Sequence, residues 1–419
     1  MRKLYGAIFW LLLPLILCRL WWRGRQQPGY RQHWGERFGR YRTPVTGPAI
    51  WLHAVSVGET RAAASLVQAL RRRYPAHRLI LTQMTPTGRD TARELYKDDV
   101  EAVYLPYDLP FAIDGFIRHF RPAFGLLMET EIWPNLIHAT ADAGIPLFLV
   151  NARLSARSAR GYGKITRLVS PALARLAGVA AQSKDDAQRL AALGAAAPVV
   201  CGNVKFDIVP PATQLALGRA WRESIGERAI VLFASTRDGE ETLLLDAWCR
   251  KRGFEQALLI VVPRHPQRFD EVANQVAAHG LSLCRRSSGE LPGADRQVWL
   301  GDSMGELAAY YAAADIAVVG GSFLPLGGQN LIEASAVGTP VIVGPHMFNF
   351  AEATRLACEA GAAQQCEGVD AAVDAVLELL RTPARRTAMQ HAAMAFSRAH
   401  GGATERIMAM LPELKSPLG

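Results

Sequence analysis

Two doubly wound α/β domains, each on its own parallel sheet, are what this 419-residue sequence predicts. Short apolar runs alternate with longer amphipathic stretches along most of the chain, the pattern of successive βαβ units. The runs end in turns rich in Gly, Ser or acids, at the carboxyl ends of strands where open α/β sheets gather their ligands. The length is enough for two full cores.

The chain opens with an uncharged run, Leu4 to Cys18, followed by Arg19, Trp21, Trp22, Arg23 and Arg25. Its fifteen residues fall short of the roughly 20 that span a bilayer, unless Arg19 snorkels and Leu20–Trp22 extend the run. The sequence after it has no small-residue cleavage site of the secretory kind. The tryptophan pair suits a membrane interface, and the arginines suit anionic head groups on the cytoplasmic side. Membrane attachment is therefore expected, spanning or in-plane, and a buried helix with a basic end is the competing reading. Residues 1–42 carry nine Arg and Lys against one acid, Glu36, a local charge of +8 out of +9 for the chain. The body is thus near neutral, which excludes a broad nucleic-acid-binding surface. Six scattered cysteines without a C-x-x-C pair fit a reducing compartment.

In the first domain, expected over 43–209, strands are predicted at Ala49–Val55, Arg78–Gln83, Ala102–Leu105, Ala123–Met128, Leu147–Val150 and Gly178–Ala181. The turn Ser56-Val57-Gly58-Glu59-Thr60 leads into a helix running to Tyr74, and further helices are expected over 86–96, 110–119, 133–143 and 155–176. Glu59 follows the first strand, and Glu131, in Met128-Glu-Thr-Glu-Ile-Trp-Pro-Asn135, follows another. Two acids at strand ends of one sheet can serve as a general base and a substrate-orienting carboxylate. Each also stands where a helix N-terminal cap belongs. Arg153, Arg157 and Arg160 form either an anion site or a solvated helix face. Lys205 lies close to the expected domain boundary, where it either offsets charge on a leaving phosphate or is an ordinary linker residue.

In the second domain, expected over 210–419, strands are predicted at Ala229–Phe233, Leu258–Val262, Val298–Leu300, Ile316–Val319 and Val341–Val343. Helices over 369–381 and 384–412 close the chain. Turns at 235, 263, 303 and 327 all follow strands and so converge on one crevice. The first offers Arg237 beside a helix start; the second is stiffened by Pro263 and Pro266 around Arg264. The stretch Gly320 to Val343 reads strand end, Gly-rich turn, helix, strand, with Glu333 placed to accept from ribose hydroxyls. No D-x-D, H-E-x-x-H or P-loop pattern occurs, so no metal site is expected. His53 and His346 read as structural.

Seven motifs in order, His53-Ala-Val-Ser-Val-Gly-Glu59, Met84-Thr-Pro-Thr-Gly88, Glu129-Thr-Glu-Ile-Trp-Pro-Asn135, Asn151-Ala-Arg-Leu-Ser155, Pro263-Arg-His-Pro266, Gly301-Asp-Ser-Met-Gly-Glu306 and Gly320-Gly-Ser322, make the chain resemble one family. It is the 3-deoxy-D-manno-octulosonate (Kdo) transferases of lipopolysaccharide synthesis, and the likeness covers nearly the whole chain. The resemblance implies a GT-B glycosyltransferase: two Rossmann-like domains facing a cleft, with an apolar N-terminal anchor. It implies inverting transfer of Kdo from CMP-Kdo to a lipid A precursor, without metal or other cofactor, at the cytoplasmic side of the inner membrane. By the same resemblance Glu59 is the base, Glu131 the second acid and Lys205 the stabilising cation. The CMP-binding positions fall on Pro263, Arg264, Met304, Gly305, Glu306, Asn330, Leu331, Ile332 and Glu333. Arg237 and Ser322 are added as partners for the donor's anionic groups. Many relatives have Asn-Pro-Leu-Glu where this chain has Asn330-Leu-Ile-Glu333, which loosens that loop. A UDP-sugar transferase, or a non-catalytic nucleotide- or lipid-binding protein, are the alternatives.

Overall fold

The structure, a computed structural model, describes residues 1–42, 47–254 and 256–414. It divides into two compact units, Met1–Asp207 together with the segment from Gly401, and Ile208–His400.

The first unit contains β1 (Ala49–His53), β2 (Arg78–Gln83), β3 (Glu101–Tyr104), β4 (Pro122–Met128), β5 (Leu147–Ala152), β6 (Gly178–Ala181) and β7 (Val199–Val200). They form one parallel sheet in the order β3-β2-β1-β4-β5-β6-β7. The chain winds outward from β1 to β3, then returns to lay β4 beside β1. That reversal opens a crevice at the carboxyl ends of β1 and β4. Helices cover both faces, so the central strands are apolar on both sides. Ile50, Leu52, Leu81, Phe124 and Leu126 pack on one face. Trp51, Ile80, Phe116, Phe120 and Leu127 pack on the other.

The second unit repeats the plan with β8 (Ile230–Thr236), β9 (Leu258–Pro263), β10 (Leu283–Arg285), β11 (Val298–Leu300), β12 (Ile316–Val319), β13 (Val341–Val343) and β14 (Ala363–Gln365). Their order is β10-β11-β9-β8-β12-β13-β14, all parallel, so the reversal falls between β8 and β12.

The helix expected to run to Tyr74 is two, Val57–Ala62 and Ala64–Arg73. The helix expected over 155–176 is two, Ala156–Gly163 and Thr166–Leu173. The helix expected over 384–412 also breaks, into Pro383–His400 and Ala403–Met410. Gly402, at φ +82°, adopts the left-handed backbone that favours glycine. Beyond it the chain joins the first unit, burying Ile407, Met408 and Leu411 against that unit's sheet. Residues 1–42 are likewise part of the first unit. Arg37, counted in the basic collar, is 1 % exposed and lies 4.0 Å from the Tyr104 ring centre. Glu36 pairs with Arg89 through two bonds of 2.9 and 3.0 Å.

The apolar N-terminus is the helix Arg2–Arg23, which holds an 18-residue window of mean hydropathy 1.8. Its 22 residues are long and apolar enough to cross a membrane. One side packs Leu13 and Leu20, with Phe9, Ile16 and Leu17, against Tyr107, Leu109 and Ala112. Leu4, Ile8, Leu11, Leu12 and Leu15 on the other side are exposed.

Candidate active site

In the first unit the crevice between β1 and β4 gathers three carboxylates. Glu59 stands in the first turn of the helix Val57–Ala62, just past β1. Its Oε2 accepts the Val55 N–H at 2.8 Å, and its Oε1 accepts the Ser56 hydroxyl at 3.2 Å. A carboxylate at a helix start is ordinarily held low by donors and the dipole. Here burial outweighs both, with Glu129 and Glu131 pushing the same way, and raises the pKa to about 7. Capping alone does not account for that.

Glu131 lies beyond β4, where Trp133 Nε1–H donates to its Oε2 at 2.6 Å. Burial first, then the charge of Glu129, raises its pKa against that hydrogen bond. Pro134 begins the next helix, Pro134–Asp142. The buried Asp108 carboxylate accepts the Asn135 and Leu136 amides at 3.0 and 2.8 Å, pinning the start of that helix.

Lys205 enters from the 3₁₀ turn Val204–Phe206, its Nζ 3.4 Å from Glu129 Oε1. That turn is held by a polar chain. Asn151 Oδ1 accepts the Val204 amide at 3.1 Å, and the Asn151 carbonyl accepts Gln182 Nε2 at 2.9 Å. Asn203 Nδ2 donates to Gln182 Oε1 at 3.1 Å, while Asn203 Oδ1 accepts the Lys205 amide at 3.0 Å. Glu59, Glu131 and Lys205, chosen from sequence, thus share one site. Glu129, which in sequence stands out only as part of a motif, is the ion-pair partner of Lys205. It has φ +60°, and buried Asn151 at the end of β5 has φ +51°. Such backbone is costly for a side-chain-bearing residue and clusters at functional sites. Arg153, Arg157 and Arg160 are exposed.

In the second unit, the ends of β8 and β12 touch. A Cβ on Gly320 would stand 2.6 Å from Thr236 Cα, so only glycine permits the approach. Fully buried Glu240 fastens the turn by accepting the amides of Gly321 (2.5 Å), Phe323 (2.9 Å) and Arg237 (2.9 Å). Nothing in the local sequence marks Glu240 for this role, because two of the amides it binds lie some eighty residues away. Arg237 and Arg264 come together at the ends of β8 and β9, where, after burial, their charges hold the His265 pKa down. Pro263 ends β9 and is buried. Glu306 is held by Arg286 at 3.0 and 3.1 Å and by the Ser303 hydroxyl at 2.5 Å. Met304 is exposed, and Gly305 beside it has φ +79°. Asn330 Nδ2 donates to Glu333 Oε1 at 3.1 Å, ahead of the short helix Ile332–Val337.

The side chains of three expected ligand positions, Ser322, Leu331 and Ile332, are buried. Ser322 is buried, its hydroxyl donating to the Val319 carbonyl at 2.6 Å and accepting the Gly344 amide at 2.8 Å. It braces the turn instead of presenting its hydroxyl. The Leu331 and Ile332 side chains are buried at 0 % and 1 % exposure, leaving their backbone as the polar surface they offer. Among the described residues no three His, Cys, Asp or Glu side chains form a metal-ligand group.

A model of the family described as 3-deoxy-D-manno-octulosonic-acid transferase (kdotransferase) matches residues 32–208, and one of glycosyl transferases group 1 matches 282–396. The 3-deoxy-D-manno-octulosonic acid transferase of Bordetella pertussis is 45% identical, over 98% of this chain and 99% of its own. This chain belongs to the Kdo transferases. The Haemophilus influenzae relative of the same description is 38% identical, over 98% of each chain. Among solved structures, UDP-GlcNAc 2-epimerase from Neisseria meningitidis aligns with TM-score 0.54 at 14% identity, over 86% of this chain and 99% of that one. At that identity the likeness extends to the fold alone. The Kdo transferase fold is accordingly of GT-B type, and the protein is a glycosyltransferase.

Proposed function

We propose that this Kdo transferase moves Kdo from CMP-Kdo to a hydroxyl of a lipid A precursor in lipopolysaccharide synthesis, with inversion at the anomeric carbon. The observation that carries the reading is Glu59, a carboxylate tuned by burial to about 7 beside Glu131 and Lys205. A sugar hydroxyl is a poor nucleophile near neutral pH, and a base with a pKa near that pH deprotonates it most effectively. Glu59 takes the hydroxyl proton as the acceptor oxygen bonds to the anomeric carbon. The bond from that carbon to the phosphate oxygen breaks on the opposite face, and CMP leaves with the electron pair. One displacement of this kind inverts the configuration.

The donor brings two anionic groups, the sugar carboxylate and the CMP phosphate. Lys205, Arg237 and Arg264 are the cations assigned to them, in the role that electrostatic preorganisation plays at a leaving phosphate. Glu333 is assigned to the ribose hydroxyls. The Pro263, Met304–Glu306 and Asn330–Ile332 segments are assigned to the nucleotide. Glu131 orients the acceptor.

We assign the helix Arg2–Arg23 to the membrane plane at the cytoplasmic face of the inner membrane. A helix with one flank packed on a polar body is poorly suited to cross a bilayer. An exposed apolar flank beside Arg19, Arg23 and Arg25 suits an anionic lipid surface. The same surface holds the lipid acceptor.

The experiment is transfer from CMP-Kdo, generated in situ, to a lipid A precursor with EDTA present, products resolved by mass. Product from the wild type and none from Glu59→Ala is expected. Competition favouring UDP over CMP would remove CMP-Kdo as donor, and equal product from both proteins would remove Glu59 from the mechanism.

A further inference from the structure

His53, the last residue of β1, is fully buried, yet its Nε2 has no hydrogen-bond partner. Its tautomer follows from the other ring nitrogen. Nδ1 lies 3.0 Å from the Thr82 carbonyl oxygen, which can only accept, so Nδ1 carries the proton. The Thr82 hydroxyl oxygen, 2.9 Å away, also receives Trp51 Nε1–H at 2.8 Å. Nε2 is therefore a bare lone pair. Burial reinforces this by lowering the ring's pKa to about 4.

The group that this lone pair faces is Glu131, whose Oε2 is 3.9 Å away. A lone pair opposed to an ionised carboxylate is repulsive, and a buried unpaired acceptor costs free energy. Both problems vanish if Glu131 carries a proton directed at Nε2. The surroundings favour that state. Glu131 shares the site with Glu59 and Glu129, whereas Lys205 is engaged by Glu129. Burial raises the Glu131 pKa in spite of the hydrogen bond from Trp133, which favours the ionised form. Closing the 3.9 Å gap by about 1 Å brings O and N to ordinary hydrogen-bond distance.

We propose that His53 is a positioning residue whose Nε2 accepts a hydrogen bond from the protonated carboxyl of Glu131, holding Glu131 neutral and oriented while Glu59 alone serves as base. The proposal rests on the assignment of Glu59 and Glu131 to the transfer reaction. It makes Glu131 a neutral donor, so the acceptor hydroxyl meets a single carboxylate base.

The test is solid-state nitrogen NMR of the full-length protein in lipid vesicles, with ¹⁵N-histidine and carbonyl-¹³C-threonine. His53 is identified among the ten histidines by the proximity of its Nδ1 to the Thr82 carbonyl carbon, without any substitution. At pH 7 the expected spectrum has a protonated Nδ1 and an unprotonated, hydrogen-bonded Nε2. In Glu131→Ala the Nε2 signal moves to the position of an unbonded lone pair. In Glu131→Gln, whose amide can still donate, it stays on the bonded side. A protonated Nε2 at pH 7, or an Nε2 signal unmoved in Glu131→Ala, overturns the proposal. Kdo transfer is assayed on the same preparation. The expected spectrum without transfer would support the His53–Glu131 bond while removing the transferase reading.

Discussion

At the scale of single residues, Glu59 is set by a contest between burial and backbone donors. Burial wins, and the sign of the outcome can be tested in two ways. A base must be ionised, so kcat/KM should rise with pH through about 7 and then level off. Glu59→Gln should lower kcat by roughly 10²- to 10⁴-fold and abolish that rise. Stability should run the other way. The folded state holds the Glu59 proton to higher pH than the unfolded chain does, so this group's contribution is greatest below the ordinary glutamate range. It weakens as pH rises through about 7. Denaturation midpoints should therefore fall across that interval in the wild type and fall less in Glu59→Gln. Lys205 makes a separate prediction. Lys205→Met should cost roughly 10²- to 10³-fold in kcat, the usual loss when one stabilising group at developing charge is removed. Single-turnover transfer at saturating donor measures it; a loss confined to KM would make Lys205 a binding residue only.

At the scale of elements, each half of the molecule places its polar groups by the same device, a reversal of strand order at the sheet centre. In the second unit the device depends on Glu240, which satisfies three buried amides at once. Glu240→Ala should strand those donors and destabilise by about 3 kcal/mol or more, at roughly 1–3 kcal/mol for each unsatisfied buried group. CMP affinity should fall with it, because the Gly320–Ser322 turn and the Arg237 amide share that carboxylate. Urea denaturation and CMP titration check the two effects, and normal CMP affinity would detach the turn from nucleotide binding. The long strands and their acid-bearing turns were legible because they combine apolar runs with local turn chemistry. β7, β10 and β14, short strands at sheet edges, lack the fully buried apolar run that marks the equally short β11 and β13. The break at Gly401-Gly402 was hidden for another reason. The Asp207 carboxylate accepts the Ala403 amide at 3.1 Å and the Thr404 amide as well. That cap comes from a residue nearly two hundred positions away, beyond any local rule. The same holds for Ser322, whose hydroxyl looks available until Gly344 is brought against it.

At the scale of the whole molecule, charge and apolar exposure coincide at one end of the chain. Residues 1–42 hold nine of its 47 Lys and Arg beside a helix with an exposed apolar flank. The sequence left two modes of attachment open because composition does not say which side of a helix is already covered. The packing does: Leu13 and Leu20 are buried on the body, whereas Leu11 and Leu15 are 79% and 67% exposed. The two pairs should respond differently to the same change. Leu11→Asp with Leu15→Asp should leave the midpoint of thermal unfolding within about 2 °C, since exposed substitutions rarely exceed 0.5 kcal/mol. It should also reduce co-sedimentation with anionic vesicles at least tenfold, because charges replace two exposed leucines of the flank assigned to the membrane. Leu13→Asp should instead destabilise the first unit, burying a charge without a partner. Wild-type binding should weaken as salt rises, through screening of the arginines, and should retain an apolar component at high salt. If Leu11→Asp with Leu15→Asp bound vesicles as well as the wild type, the exposed flank would not be the membrane surface. Binding insensitive to salt would remove the arginines from the contact and leave insertion of the apolar flank as its basis.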